Sequence, residues 1–282
     1  MKDLWVSISG ALAQQKKVET IANNVANANT PGFKKDDLAF KEELAVLNRG
    51  YTDIDLPNKE WAPEDFYRSY GAENSHVGIQ GTYTNHKQGQ LRPTKNPLDL
   101  ALNGPGFFEV LTPGGVRFTR RGTFTINNDG KLVTDQGHPV LTKFQMPQGL
   151  KLKELAAQGS KIPQPNERLV DMNAKGQITV NNFGEVFRGD QQIAELSVVE
   201  FKDLHALRKE GSSYYINANI GNMKGETGNT TVQQGYVEQS NVNAIQEMSE
   251  LIRAHRHFES IQRVIKAYDN VVGREVNDIA KF

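Results

Sequence analysis

The chain has no cysteine. Disulfide staples and thiolate metal sites are therefore excluded. It has no excess of either charge, with 33 Lys and Arg against 33 Asp and Glu in 282 residues. A balanced chain of this kind has no general electrostatic reason to hold nucleic acid or an anionic membrane. No apolar run approaches the ~18 residues that a membrane span needs. The first twenty residues, MKDLWVSISGALAQQKKVET, contain no long apolar stretch of the kind a cleaved signal needs. The expectation is a chain that stays in the cytosol or leaves it by a route without a cleaved signal. Apolar residues make up 37% of the total, which is low for a chain this long that buries everything internally. Part of its apolar surface is expected to be completed by other copies.

Catalytic signatures are missing as well. No G-x-S-x-G, P-loop or H-E-x-x-H spacing occurs. Gly104-Pro105-Gly106 is not followed by the further glycine of a dinucleotide fingerprint and runs into a strand pattern, so it reads as a turn. His255 and His257 are two apart and leave a helix on different faces, which disfavours a shared metal. Asp53 and Asp55 form D-x-D, but Pro57 and Lys59 stand where a calcium loop needs ligands. The basic pairs Lys34-Lys35 and Arg120-Arg121 read as solvated surface. The expectation is a chain without enzyme activity, cofactor or metal.

What is present lies first at the two ends. Leu4, Ile8, Ala11, Gln15, Val18, Ala22 and Val25 are spaced alternately by four and three, a heptad seam polar only at Gln15. Trp5, Leu12 and Ile21 flank it. A helix over residues 3–28 would be about 39 Å long. Ile245, Met248, Ile252, His255, Phe258, Gln262, Ile265, Tyr268, Val272, Val276 and Ile279 repeat the pattern, broadened by Leu251, Ile261, Val264 and Val271. Ser240 or Asn241 can cap this second helix. Only Gly273 weakens it, by about 1 kcal/mol relative to alanine. The two helices, within 1–35 and 236–282, are expected to pair as a coiled-coil-like domain and then to meet those of neighbouring copies.

The first helix ends in asparagine: Asn23, Asn24, Asn27 and Asn29 fall in the run IANNVANANTPGFKK. Asparagine is a poor helix former, but its amide can satisfy backbone groups freed at a helix end or presented by a neighbouring subunit. Thr-Pro-Gly then turns the chain, and Phe33 is expected to anchor it. Residues 36–76 read as a linker or extended arm, within which DDLAFKEELAVL reads as a short helix. From 77 to 235 the texture is β. VRFT, TFTIN, KLVT and PVLT alternate and are separated by Arg-Gly, Asn-Asp-Gly and Gln-Gly turns. Residues 145–172 read as a loop-rich insert. The expected fold is α+β, with a central all-β domain between two halves of a helical one.

The ends also carry a resemblance. Ala22-Asn23-Asn24, Ala26-Asn27, Thr30, Gly32, Phe33 and Lys34 resemble the N-terminal signature of flagellar rod and hook proteins. Gln234-Gly235-Tyr236, Glu238, Ser240-Asn241-Val242, Glu247-Met248, Arg256 and Phe258-Glu259 resemble the C-terminal signature of the same family. LALNGPGFFEV and FTRRGTFTINNDGKLVTDQGHPVL are similar to its core. Arg256–Glu259, R-H-F-E, is closer to the F-type proximal branch than to the G-type distal branch. The resemblance implies a self-assembling axial subunit of the bacterial flagellar basal body. It further implies export by the flagellar type III apparatus to a rod in the periplasm, and partners that are copies of itself and other rod proteins. The implied assembly interface comprises Leu4, Ile8, Ala11, Val18, Ala22, Val25, Asn23, Asn24, Asn27 and Phe33 at one end. At the other it comprises Ile245, Met248, Ile252, His255, Phe258, Ile265 and Val272.

Overall fold

A computed structural model describes residues 2–45, 74–143, 165–172, 178–211, 213–224 and 228–279. The chain divides into two compact units. Unit 1 takes Met1–Val25, Asp36–Tyr83 and Ala244–Phe282, and unit 2 takes Ala26–Lys35 and Thr84–Asn243. The result is an α+β chain, helical at both ends and β-rich between.

Unit 1 contains both expected helices, α1 (Lys2–Ala26) and α2 (Ala244–Ile279), and a ribbon of β1 (Asp36–Ala45) and β2 (Asn74–Thr84). At 36 residues, α2 is three times the usual length of a globular helix of about 12. The helices touch where Gln14 Nε2 donates to the carbonyl of Ala254, 3.0 Å away. Ala254 is buried there. Val77 N donates to Ser9 Oγ at 3.3 Å and ties the ribbon to α1.

The stretch DDLAFKEELA is a strand and not the short helix its composition favours. Leu38 and Phe40 alternate with other residues, as do Val77, Ile79 and Tyr83 on β2. Backbone pairing with β2 overrides the helix propensity of Lys-Glu-Glu-Leu-Ala, which is a weak prior where tertiary context decides. The expected arm at 36–76 is thus a strand at both of its described edges, and residues 46–73 lie outside the described residues.

Unit 2 is built from antiparallel strands. A five-stranded sheet runs β12 (Val198–Val199), β5 (Phe107–Thr112), β6 (Gly115–Thr119), β14 (Tyr214–Asn217), β13 (Leu207–Glu210). A three-stranded sheet joins β11 (Gln191–Glu195), β10 (Glu185–Arg188) and β9 (Ile178–Val180). Three further pairs close the unit. They are β7 (Phe124–Ile126) with β8 (Leu132–Thr134), β15 (Thr231–Gln234) with β4 (Leu100–Asn103), and β16 (Tyr236–Glu238) with β3 (Leu91–Pro93).

Strand β5 shows why two cores form. Successive strand residues point to opposite faces. Phe108 and Val110 therefore enter one cluster with Leu100, Leu102, Phe124, Leu132 and Val140. Phe107 enters the other with Phe118, Phe201, Leu207 and Tyr215. Rings meet edge to face in both, at 5.2 Å for Phe108–Phe124 and 4.9 Å for Phe118–Phe201. Of the expected loop-rich insert at 145–172, residues 145–164 lie outside the described residues, while Val170 and Met172 return as buried members of the first cluster.

Phe108→Ala should cost unit 2 about 3–5 kcal/mol, since a fully buried ring is lost and leaves a cavity. Phe183→Ala, at a residue 80% exposed, should change stability by less than about 0.5 kcal/mol. Urea unfolding followed by near-ultraviolet circular dichroism measures both.

Candidate assembly site

Helix α2 carries two apolar lines. Leu251, Ala254, Phe258, Ile261 and Ile265 are partly or fully buried and follow the heptad spacing. Ile245, Met248 and Ile252 are 79%, 51% and 56% exposed. At 100° per residue the second line lies about 130° round the helix from the first. Val264, Tyr268, Val271 and Val272 are exposed further along. The expected seam crosses between these lines. Its members Ile245, Met248, Ile252, His255 and Val272 face solvent, and Phe258 and Ile265 lie on the half-buried side. Exposed large apolar side chains in a repeated line are the kind of surface that marks an interface.

On α1 the most buried positions are Ala13, Ile21 and Asn24. They lie beside the expected seam. Ile8, Ala11, Val18 and Val25 are half-buried, Ala22 and Asn23 are exposed, and Leu4 lies in the helix's first turns. Leu12 is 59% exposed. Between the helices, Gln14, Lys17, Glu250, Arg253, Ala254 and His257 line an open polar cleft of about 470 Å³.

The asparagine run acts within the chain. Asn24 Nδ2 donates to the Asp36 carbonyl at 2.9 Å, and Asn24 Oδ1 accepts from the Asp36 amide at 3.0 Å. The side-chain amide thus pairs with the backbone as a strand neighbour would, and ties the end of α1 to the start of β1. Asn27 accepts from Thr30, through its carbonyl from the amide at 3.1 Å and through Oδ1 from the hydroxyl at 3.2 Å.

The turn that follows is held in unit 2. Gly32 has φ 70, and an added Cβ would lie 2.6 Å from the Arg121 amide nitrogen. Only glycine meets both demands. Its amide donates to the Glu238 carbonyl at 2.8 Å. Phe33 is fully buried, with the Lys209 ammonium 3.9 Å above its ring. Lys209 also donates to the Lys34 carbonyl at 2.8 Å.

Lys34 and Arg120 are not the solvated surface residues that the basic pairs implied. They are 1% and 3% exposed. Lys34 Nζ donates to Glu238 Oε1 at 2.6 Å and to the Lys87 carbonyl at 2.7 Å. Arg120 Nη1 donates to Glu238 Oε2 at 3.4 Å, Nη2 donates to the Gly104 carbonyl, and the guanidinium lies 5.1 Å over Phe107. Their counter-charge stands far downstream in the chain, so no local pattern reveals it. Burial pushes both cations below their ordinary pKa ranges, and Glu238 opposes that shift.

His86 lies beside this cluster, 5.4 Å from the Tyr215 ring and 6.0 Å from that of Phe107. Burial, then Lys34, His205 and Arg120, lower its pKa to about 4. Among the described residues there is no group of three His, Asp or Glu that could hold a metal, and no helix long and apolar enough to cross a membrane.

Three family descriptions match this arrangement in chain order. "Flagella basal body rod protein" covers residues 4–34, "Flagellar hook protein FlgE/F/G D1 domain" covers 101–187, and "Flagellar basal body rod FlgEFG protein C-terminal" covers 233–279. The chain is 31% identical to the flagellar basal-body rod protein FlgG of Borreliella burgdorferi, over 97% of each chain. It is 31% identical to the FlgF of Caulobacter vibrioides, over 93% of this chain and 91% of that one. It is 30% identical to the FlgG of Bacillus subtilis, over 98% of each. The chain belongs to the flagellar basal-body rod protein family.

The ring of His86 is favoured neutral in the folded state, so its protonation opposes folding. An unfolded chain protonates it near 6.5, the folded one near 4. The stability it confers is present above about pH 6.5 and is lost as pH falls through about 4. His86→Phe should flatten this part of the pH dependence, read from urea midpoints at about pH 7 and about pH 4.5.

Proposed function

We propose that the chain is a structural subunit of the bacterial flagellar basal-body rod, and not an enzyme, that assembles through α1 and α2. The observation that carries this reading is the exposed line Ile245, Met248 and Ile252 on a heptad helix of a rod-family chain. Knobs on such a line need holes on a facing helix. One line of α2 is half-buried within the chain and the other is exposed. A coiled-coil-like contact with the terminal helices of neighbouring subunits would cover it. Leu12 and the half-buried Ile8, Ala11 and Val18 would contribute from α1. Lys17, Glu250 and Arg253 around the polar cleft would fix register by charge.

The partners in this reading are other copies, other rod proteins and the flagellar type III export apparatus. The place is the rod in the periplasm, reached without a cleaved signal. R-H-F-E at Arg256–Glu259 favours the F-type proximal branch. Identity to FlgG and to FlgF relatives is equal at 31%, which keeps the distal G-type branch as the second reading.

Ile252→Asp should abolish rod assembly and motility, since an unpaired charge buried at an interface costs several kcal/mol. The isolated variant should keep the unfolding transition of unit 2. Complete basal bodies in motile cells carrying it, seen by electron microscopy, would contradict the assembly role of this face.

A further inference from the structure

Unit 2 is closed by its last residues. Its final strands pair with its first ones, Thr231–Gln234 with Leu100–Asn103 and Tyr236–Glu238 with Leu91–Pro93. Glu238 then gathers groups from three earlier segments. Its carboxylate accepts from Lys34 at 2.6 Å, from the Gly89 amide at 2.9 Å and from Arg120 at 3.4 Å. Its carbonyl accepts from Gly32. Gln239 N donates to the Gln90 carbonyl at 2.9 Å. The two backbones approach so closely that a Cβ on Gly89 would lie 1.9 Å from the Gln239 carbonyl oxygen. Asn241 completes the set. Its Oδ1 accepts from the Lys35 amide at 2.8 Å, and its Nδ2 donates to the carbonyls of Asn85 and Lys87 at 2.8 and 3.1 Å.

The charges make this more than a set of contacts. Lys34 and Arg120 are two buried cations, and among the described residues Glu238 is the one carboxylate that bonds to both. With Glu238 these three side chains hold a net single positive charge, and Glu200 adds a longer-range attraction on Arg120. Without it, two like charges face each other away from water. A buried ion that loses its partner is strongly unfavourable, because desolvation is no longer offset. The carboxylate is also the last of the three to appear in the chain.

We propose that residues 236–241 act as a closing key for unit 2. The unit stays open while Lys34 and Arg120 lack their carboxylate, and it closes as one body when the Glu238 segment arrives. Closure then coincides with the appearance of α2, which starts three residues after Asn241 at Ala244. A chain being made or threaded from its N-terminus keeps its β segments unlocked until almost its whole length is available. The inference concerns folding within one chain and does not rest on the assembly reading.

The test uses the full-length protein with Glu238→Gln, which keeps shape and removes charge, and with Lys34→Met/Glu238→Gln, which restores the net charge of the cluster. Native-state amide exchange is read at β5, β6 and β14 and, separately, at residues 32–35, 85–90 and 236–241. With Glu238→Gln, exchange is expected to quicken by about a hundred- to a thousand-fold in the β5–β6–β14 strands together with the junction. The double variant should recover most of that protection. Quickening confined to the junction, with β5, β6 and β14 unchanged, would overturn the proposal. So would a double variant as open as the single one. If Glu238→Gln does not fold, the double variant decides: a folded double supports the key, and an unfolded double refutes it.

Discussion

The bond between Lys34 and Glu238 ties the first segment of unit 2 to its last, and the proposed closure of that unit rests on it. It joins the N-terminal signature of the rod family to the C-terminal one, across almost the whole chain, in a place sealed from water. Electrostatic attraction is strong there because the surroundings screen it poorly, and a partner left unpaired costs more than the intact pair contributes, since desolvation offsets most of the pair's attraction. The neighbouring features serve this bond. Gly32 lets the chain turn beneath the Arg121 backbone, Phe33 fills the space under Lys209, and Gly89 lets two backbones approach. Asn24 performs a related task in unit 1 by holding the start of β1 to the end of α1.

The terminal signatures therefore do two kinds of work. Phe33, Lys34, Glu238 and Asn241 are occupied within their own chain. Ile245, Met248 and Ile252, a few residues later, present exposed apolar side chains. Between Asn241 and Ile245 the chain passes from residues that close a β body to residues that face outward on a helix. In this chain the segment that closes unit 2 and the exposed line of α2 therefore stand side by side in sequence.

Much of this was legible in the sequence. The 3–4 spacing disclosed both helices, and alternation with Gly-containing turns disclosed the β body. The limits have physical causes. A 3–4 ladder runs down more than one face of a long helix, so the spacing of Ile245 through Val272 could not separate the half-buried line from the exposed one. Strand β1 was hidden because Lys-Glu-Glu-Leu-Ala prefers a helix until β2 pairs with it. The burial of Lys34 and Arg120 was hidden because a basic pair looks solvated until its distant carboxylate is known. The asparagine run pointed to amides that satisfy backbone groups, and Asn24 does so at the Asp36 backbone of its own chain, at the start of β1, a partner twelve residues on that the run itself does not announce.

The absence of cysteine makes the division between inner and outer residues directly measurable. Val237, 3% exposed in strand β16, and Ile252, 56% exposed on α2, can each be replaced by the only thiol in the chain. The rate of thiol modification is then compared between isolated subunit and assembled rod. Val237→Cys should be protected in both, and Ile252→Cys should react freely in the subunit and be protected in the rod. Equal reactivity of Ile252→Cys in both states, or a Val237→Cys that is open in the subunit and closed only in the rod, would contradict the assignment of one face to the chain and the other to its neighbours.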